Sequence, residues 1–111
     1  MKRMLLVALT ALALPGAAFA GTPVHGVSKD LGEALEKAVA NVERAAVVQG
    51  TCVSRYPSLE TCSESKGYWQ CTAIRANHKG SCANKPSDLD NLIKAAKGLS
   101  GPAAKAAAAG G

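Results

Sequence analysis

Residues 67–82, GYWQCTAIRANHKGSC, gather the residue types in this chain that are best able to do chemistry. They include Cys71, Cys82, His78 and the single tryptophan, Trp69. A cysteine beside a histidine could act as a nucleophile, cysteines with a histidine could bind zinc, and two cysteines could form a disulfide. The choice among the three depends on every cysteine in the chain.

The chain has four cysteines, Cys52, Cys62, Cys71 and Cys82, and no Cys-x-x-Cys pair. An even cysteine count in a small chain predicts two disulfides if the protein is exported, and it then argues against a free thiolate or a redox pair. Zinc ligands usually occur as closely spaced pairs, which this spacing lacks. The sequence therefore predicts no catalytic residue, no metal site and no cofactor, and it favours a protein that is not an enzyme.

The pairing of the cysteines has two alternatives at this level. In the local pairing, Cys71 and Cys82 face each other across a hairpin that turns at residues 77–80, and Cys52 and Cys62 close the preceding loop. The crossed pairing joins Cys52 to Cys71 and Cys62 to Cys82. Both are geometrically feasible, and we favour the local pairing.

Residues 1–20 predict a signal peptide that is cleaved after Ala20. Lys2 and Arg3 precede an apolar run, and Ala18-Phe19-Ala20 supplies the small residues of a peptidase site. The run is shorter than the ~20 residues that a membrane-spanning helix needs. We therefore expect a periplasmic or secreted protein of a bacterial cell envelope, with no transmembrane span after cleavage.

The charge of the mature chain is only mildly basic. Without Lys2 and Arg3, eleven basic residues stand against eight acidic ones, which gives a formal charge of +3. Nucleic-acid binding usually requires a basic stripe interleaved with aromatic residues. With so small a charge and an exported location, we expect no nucleic acid as a partner.

Residues 28–99 predict one small α+β domain, in which a helix, short antiparallel strands and a second helix follow one another. Apolar residues recur every three or four positions over 29–49, which indicates the first helix, and a second helix ends at Gly98. Both flanks lack such patterns. We expect residues 21–27 to be a flexible N-terminal segment and residues 100–111 to be a disordered Ala/Gly-rich tail.

Alternate residues of the segment Tyr68–Ile74 fall into two sets, as in a β-strand with one face buried. Trp69, Cys71 and Ala73 share the face that we assign to the helices, because this face has the large apolar ring. The residues assigned to the other face are Tyr68, Gln70, Thr72 and Ile74.

The functional expectation is non-catalytic binding to a protein or to an anionic envelope component. The candidate binding surface consists of Trp69, Arg75, His78 and Lys79, where cations lie near an aromatic ring. If Trp69 is buried, it is a core anchor and not part of that surface. Two alternatives remain: a secreted inhibitor of another protein's enzyme activity, and a cationic membrane-active protein.

Overall fold

The computed structural model describes residues 21–110, so the predicted signal peptide and Gly111 lie outside the described residues. The fold is a small two-layer α+β domain with two disulfides, as predicted. The elements in chain order are β1 (Gly21–Ser28), α1 (Leu31–Gln49), β2 (Val53–Arg55), β3 (Cys62–Ser65), β4 (Tyr68–Ala76), α2 (Leu89–Ala96) and α3 (Gly101–Gly110).

The central strand of the sheet is β4, and all of its partners are antiparallel to it. Along one side, β1 pairs over its full length, from Gly21 opposite Ala76 to Ser28 opposite Trp69. The other side is shared by β2, near the end of β4, and β3, near its start. Lys66 and Gly67 join β3 to β4, and both have positive φ, as the tight type I′ hairpin turn requires.

The expectation of a flexible segment over residues 21–27 is wrong, because these residues form β1. Gly26 and Ser28 are buried against α1, while His25 and Val27 point outward. The backbone carbonyl of His25 points away from β4, toward the free edge of the sheet. Pro23 lies two residues earlier on the same strand, so its backbone nitrogen points to the same free edge. The N–H group that proline lacks therefore removes no hydrogen bond between β1 and β4. Proline and glycine suggest a loop in isolation, whereas here they fit an edge strand that packs closely on a helix.

The first helix, α1, begins two residues after the start of the predicted range 29–49, and its N-cap is Asp30. The Asp30 carboxylate accepts a hydrogen bond of 2.8 Å from the Glu33 N–H group and another from the N–H group of Gly98. Gly50 ends the helix in the left-handed conformation, with φ of 72°. Asp30 therefore joins the start of α1 to the end of α2.

The core lies between α1 and the inner face of the sheet. Trp69, Cys71 and Ala73 are buried there, which confirms the predicted alternation of β4. The buried residues of α1 form one stripe along the helix. They are Leu31, Ala34, Leu35, Ala38, Val39, Val42 and Ala46.

The expectation of a disordered tail is also wrong, because Gly101–Gly110 forms the helix α3. Ala104 is fully buried in the main core cluster, and the Lys105 ammonium lies 3.6 Å from the Glu64 carboxylate. Alanine has the highest intrinsic helix propensity, and Pro102 sits in the first turn, where proline is tolerated. The packing of Ala104 supplies the order that so short a helix lacks by itself.

The disulfides follow neither pairing that we considered. Cys52 is joined to Cys82, with 5.4 Å between their Cα atoms, and Cys62 is joined to Cys71, with 3.9 Å between theirs. Cys62 and Cys71 lie directly opposite each other in the β3–β4 ladder.

The local pairing fails because both sides of β4 are already occupied, by β1 on one side and by β2 and β3 on the other. The chain after β4 therefore cannot return beside it as a hairpin strand. It runs past β2 instead, where the Ala83 N–H group donates to the Val53 carbonyl over 2.8 Å. This path brings Cys82 to Cys52.

Candidate binding surface

The four residues predicted as a binding surface do not lie together. Trp69 is only 3% exposed and faces the helix layer, so it is a core anchor. Arg75 lies six residues further along β4, a separation of about 20 Å. His78 and Lys79 are exposed in the loop after β4, which the Cys52–Cys82 bridge ties to the start of β2.

Arg75 is half-buried and its guanidinium is held within the sheet. It donates a hydrogen bond of 3.0 Å to the Thr22 hydroxyl and one of 3.2 Å to the Ala76 carbonyl. These bonds join the start of β1 to the end of β4. A structural role therefore accounts for Arg75, and His78 and Lys79 remain as exposed groups on the loop.

The side of the sheet that faces away from α1, the outer sheet face, carries side chains from all four strands. Val27 on β1 and Tyr68 on β4 are exposed to 45% and 47%. The other outward residues are Pro23, His25, Arg55, Ser63, Ser65, Gln70, Thr72 and Ile74. The alternating pattern of β4 correctly predicted which of its residues lie on this face. The residues of β1 on this face were not predicted, because β1 itself was expected to be a flexible segment.

The middle of the outer sheet face is polar. The His25 Nδ1 atom lies 3.0 Å from the Thr72 hydroxyl oxygen, and the Gln70 amide nitrogen lies 3.5 Å from the same Nδ1 atom. His25 and Thr72 are directly opposite each other on β1 and β4. These contacts cross the two strands and hold the three side chains in place.

Cations flank this polar centre. The Lys29 ammonium lies 5.6 Å from the centroid of the Tyr68 ring, within the range of a cation–π contact, and Lys66 occupies the neighbouring β3–β4 turn. Arg55 stands opposite Ile74 near the other end of β4. Among the residues of the four strands, the only carboxylate is that of Glu64, which is opposite Trp69 on the helix side and pairs with Lys105. The outer sheet face is therefore cationic at both ends.

The free edge of β1 is covered by side chains of α1. The Asn41 amide donates a hydrogen bond of 2.9 Å to the His25 carbonyl, and the Lys37 ammonium lies 3.4 Å from the Val27 carbonyl. These two carbonyls would otherwise be open to another strand. The second half of this edge is therefore protected against pairing with a further strand.

A groove of about 460 Å³, the helix groove, lies between α1 and α2. Glu36, Val39, Ala40 and Glu43 line it from α1, and Lys85, Asp90, Ile93, Lys94 and Lys97 line it from α2 and its approach. The helical spacing of Glu36, Ala40 and Glu43 was visible in the sequence. The opposite wall was not, because it depends on how α2 packs.

Two charged contacts shape the helix groove. The Lys97 ammonium lies 2.9 Å from the Glu36 carboxylate, and the hydrogen bond and charge of Glu36 raise the pKa of Lys97. The Tyr56 hydroxyl donates a hydrogen bond of 3.1 Å to Oε2 of Glu43. Burial, followed by the hydrogen bond and charge of Glu43, raises the pKa of Tyr56, so these surroundings favour the protonated phenol that donates to Glu43.

The cysteines are all bridged, and no cluster of three or more His, Cys, Asp or Glu side chains suited to a metal ion occurs within residues 21–110. In the same range, no helix is both long enough and apolar enough to cross a bilayer. The chain matches no protein-family model, no curated protein and no solved structure.

Proposed function

We propose that the protein is an exported, non-catalytic binding protein whose outer sheet face docks on a partner protein with an acidic surface. One observation supports this most directly: no element within residues 21–110 forms a second layer over the outer sheet face, and the face is cationic at both ends. Lys29 and Arg55 mark these ends, and Val27 and Tyr68 are exposed on the face.

Export to the periplasm or beyond is part of the proposal. Two disulfides in so small a chain are typical of an oxidising compartment, and the first twenty residues have the pattern of a signal peptide. A binding role requires no thiol chemistry, which agrees with four bridged cysteines.

The composition of the face favours a protein over an anionic polymer or a second copy of this chain. Tyrosine and arginine beside apolar residues are enriched where proteins bind one another, whereas sugar polymers usually stack on several aromatic rings. Among the outward residues of the four strands, Tyr68 is the only phenylalanine, tyrosine or tryptophan. Two copies placed face to face would bring like charges such as Lys29 and Arg55 together, which disfavours self-association.

Photo-crosslinking in cells tests the proposal. A photoreactive phenylalanine derivative replaces Tyr68 or, in the matched control, Val47, which is 79% exposed on α1. We expect a discrete protein adduct from position 68 and none from position 47. The adduct is identified by mass spectrometry, and the purified partner is then titrated at several salt concentrations.

Arg55→Glu should weaken binding of the purified partner about tenfold or more, because it reverses a charge that faces an acidic surface. Glu60→Lys, a reversal in an exposed segment outside the strands, should not weaken it. Adducts only with polymer or lipid, equal adducts from both positions, or binding that is insensitive to Arg55→Glu would overturn the proposal. A partner enzyme that loses activity on binding would identify the protein as an inhibitor.

A further inference from the structure

The helix groove is chemically unlike the outer sheet face. Val39 and Ile93 form an apolar floor at the contact of α1 and α2, and charged side chains stand along both walls. A volume of about 460 Å³ falls within the range of small-molecule sites in proteins. The charges on the walls decide which small ligand would be complementary to it.

Most of these charges are already paired with one another. Glu36 pairs with Lys97 at 2.9 Å, and Asp90 pairs with Lys85 at 3.4 Å. Two lining charges remain: within residues 21–110, neither Glu43 nor Lys94 has an opposite charge within 4.0 Å. The groove thus keeps one unpaired carboxylate on the α1 wall and one unpaired ammonium on the α2 wall.

The Glu43 carboxylate is held in position. Its Oε2 atom accepts the hydrogen bond from the Tyr56 hydroxyl, and Tyr56 itself is partly buried against the core. Among residues 21–110, no group donates a hydrogen bond to the other oxygen, Oε1. An oriented carboxylate with a free oxygen is suited to bind an ammonium group.

We infer that the helix groove binds a short peptide with free termini and apolar side chains, with its ammonium on Glu43, its carboxylate on Lys94 and its side chains over Val39 and Ile93. The inference is independent of the proposed partner of the outer sheet face. A ligand with a net charge would be repelled by one of the two unpaired groups, whereas a zwitterion satisfies both. Within residues 21–110, no arginine lines the groove, which disfavours a phosphate-containing zwitterion such as a lipid headgroup.

The test uses the dipeptide Ala-Leu as a probe and follows the backbone amide signals of the isotope-labelled protein by NMR. We expect saturable shifts confined to the stretches around Glu36–Glu43 and Asp90–Lys97. N-acetylation or C-amidation of the dipeptide should each weaken binding about tenfold, because each removes one charge-assisted contact. These comparisons use the wild-type protein, so they do not depend on the folding of a variant.

Protein variants then test which terminus of the dipeptide binds to α1 and which binds to α2. Glu43→Gln should weaken the free dipeptide but not the N-acetylated one, and Lys94→Gln should weaken the free dipeptide but not the amidated one. Glu60→Gln and Lys66→Gln, outside the groove, are the matched controls and should bind as wild type does. No saturable shift, equal binding of blocked and free dipeptides, or equal shifts with phosphocholine would overturn the inference.

Discussion

Gly26 allows the helix layer to approach the sheet closely. A Cβ atom on this residue would lie 2.2 Å from the Ala38 backbone nitrogen and 2.4 Å from the Ala34 carbonyl oxygen. Both are backbone atoms, so no side-chain rotation could relieve the clash. Ala34 and Ala38 of α1 pack directly against Gly26, which has no side chain. The backbone of the helix therefore lies close to the backbone of the sheet.

We expect Gly26→Ala to lower the free energy of unfolding by about 2–4 kcal/mol, because α1 would have to move away from β1 and loosen the core. Urea denaturation followed by circular dichroism measures the change. Gly80→Ala is the matched control, since its Cβ atom would lie 3.6 Å from the nearest atom, Nδ1 of His78. That variant should differ from wild type by less than about 0.5 kcal/mol. Equal stability of both variants would contradict the close approach at Gly26.

Core residues were predictable from the sequence where apolar side chains recur with the period of a strand or a helix. Trp69, Cys71 and Ala73 alternate with polar neighbours, and this period reveals a half-buried strand. Gly26 has no side chain to show burial, and Pro23 usually marks a turn. Their roles became clear only from the position of α1, which is a tertiary property.

At the scale of elements, β1 is an edge strand whose free backbone is covered by α1. Asn41 and Lys37 lie one helical turn apart and reach the carbonyls of His25 and Val27. Exposed strand edges promote association with other strands, and proteins commonly protect them with charges or proline. Here Pro23 protects the start of the strand, and the two helix side chains protect its second half.

Replacing both Lys37 and Asn41 by alanine should make the protein self-associate, because the two carbonyls of β1 become available to a second chain. Analytical ultracentrifugation over a concentration series measures this. Arg44→Ala combined with Gln49→Ala is the matched control, since it removes a similar pair of exposed side chains from the same helix without touching β1. A Lys37/Asn41 variant that sediments as wild type does at every concentration would show that the covering has no effect on association.

Long helices with a regular apolar pattern were predicted more accurately from the sequence than short helices without one. The helix α1 has five turns with one continuous apolar stripe, so its range was nearly correct. The helix α3 has ten residues, most of them alanine, and no stripe at all. Its order depends on the packing of Ala104 and on the pairing of Lys105 with Glu64, and neither contact is visible from composition.

At the scale of the whole molecule, the two disulfides stabilise different parts. The Cys52–Cys82 bridge spans 30 residues and the Cys62–Cys71 bridge spans nine. In the chain-entropy model they contribute about 4 and about 3 kcal/mol. The net stability of a small domain is often only about 5–15 kcal/mol, so the bridges together account for a large share of it.

Reduction of both bridges should therefore unfold the protein at physiological temperature, which loss of the helical circular-dichroism signal would show. Stepwise reduction with alkylation and mass spectrometry should open Cys52–Cys82 first, because Cys82 is exposed whereas Cys71 is fully buried. The oxidised protein without reductant is the control. An unchanged thermal transition after complete reduction would refute the stabilising role, and earlier opening of Cys62–Cys71 would refute the order.

The number of disulfides was predictable from the sequence, but their pairing was not. Pairing requires the strand order, and β1, which occupies one side of β4, was not foreseen. The candidate site failed for a related reason: Trp69 and Arg75 lie near each other in the sequence but about 20 Å apart along one strand. The outward residues of β4 were predicted, and they now form part of the outer sheet face.

The pairing of β1 with β4 also determines when this chain can fold. His25 contacts Thr72 across 47 residues of sequence, so the first strand to leave the ribosome has no partner until the last strand of the sheet has been made. Sheets closed by such distant contacts form slowly, because a long loop must be ordered first. The sheet can therefore close only after the chain has been made as far as Ala76, the last residue of β4.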